Sequence, residues 1–324
     1  MNKLLALGVL ALAVGIGVLM TAPTLTTTAA DFAGWLISFH WEDNEVPSPP
    51  DAREPFGSQY STFWSPAAGK TISYLVWLPP SYATSTKRYP VVYWLPDGPG
   101  RQYAVGSFLQ SLGEATATGQ APEMIVIGVN PVACCSFYVN SFAGDLPLES
   151  VIINDLLPHV DATYRTLAQR EKRAVEGFSM GGYGAGHLGF KYPSLFGAVS
   201  IQGGALKTVQ EGQAAPCCHV VYRMWNYAFG ANEPYFIANS PFTLAQQNAD
   251  AIRGKIHIRI IVGEHDTALL QRNTDLHNLL DSLGIRNEFR ILPGIGHNRW
   301  DHYQALGFAA YSPFYQTAFG GGSR

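Results

Sequence analysis

Beyond its first thirty residues, the chain sets short apolar blocks between longer stretches of mixed polarity. "TISYLVWLP" (71–79) and "PVVYWL" (90–95) are rich in β-branched and aromatic residues, and a Pro/Ser/Thr/Lys turn parts them, so both read as strands. "EMIVIGV" (123–129), "RAVEGF" (173–178), "FGAVSI" (196–201), "IHIRIIV" (256–262) and "EFRIL" (288–292) are compact apolar runs of the kind that form buried strands. Residues 149–165, 180–191 and 267–283 carry helical spacing instead. This alternation predicts an α/β fold, a mostly parallel, doubly wound sheet with helices on both faces. One domain is expected over residues 65–312. Residues 203–255 break the alternation and read as an insertion over the active site, where such segments shape pockets. The Pro- and acid-rich 31–64 ("EDNEVPSPPDAREP") reads as an extended lead-in, and 313–324 as a C-terminal tail.

The first thirty residues follow a different rule. Lys3 precedes an unbroken apolar run from Leu4 to Met20, then "TAPTLTTTAA". A basic start, an apolar middle and a small-residue end form a secretory signal, with cleavage expected near Ala30. The run falls slightly short of a membrane span, so an uncleaved anchor is the alternative. No cysteine follows the run to carry a lipoprotein anchor. Export places the protein outside the cytoplasm, secreted or periplasmic, where disulfides persist. The four cysteines form two adjacent pairs, Cys134–Cys135 and Cys217–Cys218. A bond between neighbours strains its short ring, so two bridges between the pairs are expected, stapling the pocket rim.

Composition removes several function classes. The 324 residues are 47% hydrophobic and only 14% charged, with a net charge of −3. Without a run of Lys and Arg there is no surface to displace counterions from nucleic acid. No H-E-x-x-H, paired C-x-x-C, phosphate-cradling or strand-anchored dinucleotide motif appears, so neither metal nor cofactor is expected. The partner expected is a small-molecule or saccharide ester, with no nucleic acid and no membrane contact beyond the N-terminal segment.

The chemistry concentrates in "AVEGFSMGGYGAG" (174–186), where Gly177, Ser179 and Gly181 match G-x-S-x-G. A strand ends at Phe178 and a small-residue helix begins at Met180, the strand–turn–helix context this motif requires. Ser179 then stands at a helix N-terminus, where the Met180 amide can donate to an oxyanion. A serine hydroxyl needs a base. After "IHIRIIV" comes "GEHDTALL", offering Asp266 and, as fallback, Glu264. After "EFRIL" comes "PGIGHNRW", offering His297. The order Ser, acid, His, each at a strand end, is that of a doubly wound hydrolase. His40, His159, His187, His219, His257 and His277 read as surface or satisfied core residues. His265 and His302 lack the strand-end loop position. The loop after "PVVYWL" should supply the second oxyanion donor. Pro96 and Pro99 have no amide hydrogen, which leaves Asp97, Gly98 and Gly100, with Gly98 preferred and Asp97 next.

These segments, with "SYLVWLPPSY…KRYPVVYWLPDG", "SFYVNSFAGD", "LLPHVDATYRT" and "FGANEPYFIANSPFTLA", resemble the esterase D-like family of α/β-hydrolases. That family includes feruloyl and acetyl-xylan esterases, S-formylglutathione hydrolases, siderophore esterases and secreted mycolyltransferases. The resemblance spans roughly 65–310. It implies the α/β-hydrolase fold and carries the triad onto Ser179, Asp266 and His297. One departure stands out: Pro-Asp-Gly replaces the His-Gly-Gly frequent after the second strand, although Asp-Gly also occurs in the siderophore-esterase branch.

The leading expectation is therefore a secreted serine carboxylic ester hydrolase, acting on feruloyl, acetyl or other small acyl esters. An acyltransferase delivering the same acyl group to a sugar or lipid hydroxyl shares the triad. A non-catalytic binding protein on a hydrolase fold is the third reading. Trp225 and Tyr227 of the insertion are expected to line the acyl or alcohol pocket, the alternative being that they fill the insertion's own core.

Overall fold

A computed structural model describes residues 54–320 apart from Pro99, Cys217, Cys218 and the side chain of Val220. Its strands are β1 Gln59–Ser65, β2 Lys70–Trp77, β3 Val91–Leu95, β4 Ile125–Val129, β5 Arg173–Phe178, β6 Ala198–Gln202, β7 His257–Gly263 and β8 Glu288–Leu292. They form a sheet in the order β1-β2-β4-β3-β5-β6-β7-β8. β2 runs antiparallel to both β1 and β4, and every later pairing is parallel. This is the mostly parallel sheet expected from the apolar blocks. β5 and β8 coincide with the expected strands, and the ends of β2, β3, β4, β6 and β7 agree within two residues.

Two boundaries need correction. Residues 59–64, read as the end of the lead-in, belong to β1, which pairs from Gln59↔Val76 to Ser65↔Lys70. Only Phe63 and Ser65 of this edge strand are buried, while Trp64 is 63% exposed, so it lacks the continuous apolar signal of the inner strands. The C-terminal tail is not loose through 320 either. Helix Phe314–Gly320 buries Phe314, Tyr315, Ala318 and Phe319. Its seven residues are too few to display a helical period.

Successive residues of a strand face opposite sides of the sheet. On β5, Ala174 and Phe178 join a core cluster with Val92, Trp94, Ile261, Tyr303 and Tyr315. Between them on that face lies Glu176, fully buried. Strand register aligns Glu176 with Ser200 of β6 and Arg259 of β7. The Glu176 carboxylate accepts from Arg259 Nη2 (3.1 Å), Gln202 Nε2 (2.5 Å), the Tyr303 hydroxyl (2.5 Å) and the Tyr315 hydroxyl. Four donors compensate the desolvation of one buried carboxylate, and two of them pin C-terminal helices to the central strands.

On the opposite face, helix α1 (Met180–Lys191) crosses β3, β5 and β6. It holds a second buried polar group. His187, read from sequence as a satisfied core residue, is fully buried between Glu149 Oε2 (2.6 Å) and the Asn239 carbonyl (2.9 Å). Burial pushes the Glu149 carboxyl up, but His187, Lys191 and Tyr192 outweigh it and hold the group at about 2. Within 203–255 the described residues are mostly helical. Helix α2 (Glu233–Asn239) supplies the carbonyl for His187, and α3 (Pro241–Gln247) packs along α1.

Candidate active site

Ser179 is the turn between β5 and α1, with φ 57° and ψ −113°. A side chain at Gly177 would place Cβ 2.3 Å from the Gly181 carbonyl, and one at Gly181 would place it 1.9 Å from Leu95 O. Only glycine fits at either position, which is the physical content of G-x-S-x-G. Backbone bonds fix the strained turn: Ser179 N–H donates to Gln202 O (2.9 Å), and Ser179 O accepts from Tyr183 N (3.0 Å) and Ala205 N (2.8 Å). Asn273, fully buried on helix α4 (Leu270–Ser282), bonds both the N–H and the carbonyl of Gly204 and so secures the loop that reaches Ala205. Nothing in the sequence marked Asn273 out from other helical asparagines.

Three residues separated in sequence meet at this turn. Ser179 Oγ lies 2.8 Å from His297 Nε2, and His297 Nδ1 lies 2.6 Å from Asp266 Oδ2. A carboxylate oxygen accepts only, so Nδ1–H donates to Asp266 and leaves Nε2 to accept the serine proton. Asp266 is buried, and the His297 side chain is 37% exposed on its loop after β8. The His297 ring packs on Phe178, with centroids 4.8 Å apart. Asp266 N–H donates to Gly263 O, and Asp266 O accepts from Leu269 and Leu270, which fixes the acid just before α4. Glu264, the fallback acid, instead accepts from Gly294 N (2.8 Å) and is exposed. His265 is likewise exposed, its N–H donating to Ile295 O.

The other wall of the site is the loop after β3. Tyr138 donates its hydroxyl proton to Pro96 O (2.7 Å), and Gly100 N–H turns back to Asp97 O (2.9 Å). As the first residue of α1, Met180 has an N–H with no acceptor inside the helix. Among the described residues, neither Asp97 N–H nor Gly98 N–H makes a backbone hydrogen bond. Sequence reasoning missed the partner of Asp97: its Oδ2 accepts from Arg299 Nη1 at 2.7 Å. Arg299 opens helix α5 (Arg299–Leu306), two residues after His297.

Trp225 is buried, over Gly212 and 5.7 Å from the Phe236 ring. Tyr227 is 44% exposed on the same segment. Cys134 and Cys135 are buried beside each other, and Cys217 and Cys218 lie outside the described residues. His302 is fully buried against Phe178, with neither ring nitrogen in a hydrogen bond among the described residues. Burial, then the neighbouring His297, lowers it to about 4.

A family model described as "Putative esterase" matches residues 65–310. The chain belongs to this esterase family. The chain is 38% identical over 146 residues to an esterase of Mycobacterium tuberculosis (strain H37Rv), across 45% of this chain and 32% of the relative. It is 29% identical over 166 residues to an endo-1,4-beta-xylanase/feruloyl esterase of Xylanibacter ruminicola, 47% of this chain and 22% of that one. The matched stretches thus span a third or less of these relatives' lengths. Among solved structures, a ferulic acid esterase superposes with a TM-score of 0.68 at 22% identity, over 81% of this chain and 98% of its own. An S-formylglutathione hydrolase from Staphylococcus aureus follows at 0.62 and 17%, over 78% and 97%. At such identities these structures establish the α/β-hydrolase fold.

Proposed function

We propose that the chain is a secreted serine carboxylic ester hydrolase working through Ser179, His297 and Asp266. One observation carries the proposal: a continuous hydrogen-bonded line from a buried carboxylate through one imidazole to a serine hydroxyl at a strained strand–helix turn. In the first half-reaction His297 Nε2 takes the Ser179 proton as Oγ attacks the ester carbonyl. The Met180 amide and an amide of the Asp97–Gly98 segment receive the oxyanion. His297 then returns the proton to the departing alcohol, leaving an acyl-serine. Water, deprotonated by the same imidazole, releases the acid and regenerates the serine. Asp266 holds the tautomer and stabilises the imidazolium at each step.

Feruloyl, acetyl or other small acyl esters of saccharides are the substrates we propose, supported by the feruloyl esterases among both the relatives and the structural neighbours. Export rests on the segment 1–30, and bridges involving the two cysteine pairs fit that compartment. Both lie partly or wholly outside the described residues. The test compares the mature protein with Ser179→Ala on acetyl, butyryl and octanoyl p-nitrophenyl esters and on methyl ferulate. Hydrolysis in the parent should drop about 10⁵-fold or more in the variant. Activity that survives the substitution refutes the mechanism.

A further inference from the structure

Asp97 poses an electrostatic problem for any oxyanion formed at Ser179. The loop bearing it touches the elbow, since Gly181 has no room for Cβ against Leu95 O or Pro96 O. Asp97 follows directly, and its own amide is one of the two candidate loop donors. Its carboxylate is buried, with Oδ1 folded back beneath Gly100, where a Cβ would lie only 2.1 Å away. The charge acts beyond its own residue: after burial, Asp97 is the second cause holding the Tyr138 phenol well above its ordinary value. A negative charge on the wall of the site opposes an oxyanion formed there, and one residue and a short side chain reach about 7 Å. At that separation and an effective dielectric near 20 it costs about 50-fold in rate.

We infer, on the serine-esterase reading above, that Arg299 is a positioning residue that neutralises Asp97 and thereby lets its loop serve as the oxyanion wall. The contact is Nη1 to Oδ2 at 2.7 Å, with the two side chains 26% and 10% exposed. Asp97 Oδ1 and Arg299 Nε are buried and unbonded among the described residues, so the pairing depends on this contact. Partial burial limits screening by solvent and salt, unlike a surface pair. Placement adds a second consequence. Arg299 begins α5 immediately after the Asn298 cap, whose side chain bonds the amides of Trp300 and Asp301. The pair therefore ties the loop bearing the base to the loop bearing the oxyanion donors. Among the described residues Arg299 makes no hydrogen bond to Ser179 or His297; it acts through Asp97.

The test is steady-state kinetics on p-nitrophenyl acetate at pH 8 for the parent, Arg299→Met, Arg299→Lys and the double variant Asp97→Asn/Arg299→Met. Asparagine at 97 keeps the backbone N–H and removes the charge. Arg299→Met should lose about 50-fold in kcat, with KM within about threefold of the parent. The double variant should regain at least tenfold of that loss, although it carries one more substitution, and Arg299→Lys should keep most of kcat. A double variant as slow as Arg299→Met overturns the inference, as does an Arg299→Met variant with unchanged kcat. Thermal melts accompany each measurement. If Arg299→Met does not fold, Arg299→Gln replaces it with the same expected order. Parent hydrolysis that survives Ser179→Ala would sink the serine reading itself, whereas Ser179-dependent hydrolysis without the rescue sinks only the role of Arg299.

Discussion

A hydroxyl, an imidazole and a carboxylate are ordinary groups, and their placement makes this set unusual. Ser179 holds a positive φ that a serine seldom adopts, and two glycines and three backbone hydrogen bonds offset the cost of keeping it there. Gly181→Ala should abolish activity and lower stability, because its methyl would overlap the Leu95 carbonyl; a thermal melt beside the ester assay reads both effects. Asp266→Asn is subtler. An amide in place of the carboxylate can donate to Nδ1 and favour the wrong tautomer, so kcat should fall about 10³–10⁴-fold with little change in stability. A loss below tenfold would argue that Asp266 only packs. These residues were legible because each follows an apolar strand signal in the order Ser, Asp, His. Arg299 and Asn273 were not, since their partners are loop atoms distant in sequence.

At the scale of elements, the inner strands showed themselves as compact apolar runs, and α1 and α4 through their spacing. The failures share a cause. β1 is a half-exposed edge strand and Phe314–Gly320 is short, so neither has enough residues on one face to produce a period. Glu176 inside "RAVEGF" gave no warning of its role, because its four donors come from β6, β7 and two C-terminal helices. Tyr315→Phe removes one donor from that buried carboxylate and should cost about 1.5–3 kcal/mol in urea unfolding. Arg259→Met leaves Glu176 without its counter-charge and should cost more, about 3–5 kcal/mol. Equal, small losses would mean that Glu176 is held neutral and the row is not an ion pair.

For the whole molecule, the parallel sheet gathers the site. The loops after β3, β5, β7 and β8 leave the same edge, so residues 97, 179, 266 and 297 converge although 200 positions separate the first from the last. Folding also sets an acid limit. His302 falls from 6.5 to about 4 when buried, so the unfolded chain takes up its proton first as the pH drops. Its contribution is complete above pH 6.5 and is lost as the pH falls toward 4. Between pH 7.5 and 5 the protein should lose about 2 kcal/mol through this group, a loss that His302→Phe removes. Glu149 acts lower, its contribution present above 4.5 and lost toward about 2.

The most direct test of the central claim is to map where a fluorophosphonate probe attaches, by peptide mass spectrometry of the labelled mature protein. The account predicts one adduct on Ser179, absent in Ser179→Ala and much slower to form in His297→Ala. An adduct on another residue, or labelling unchanged by Ser179→Ala, would contradict it.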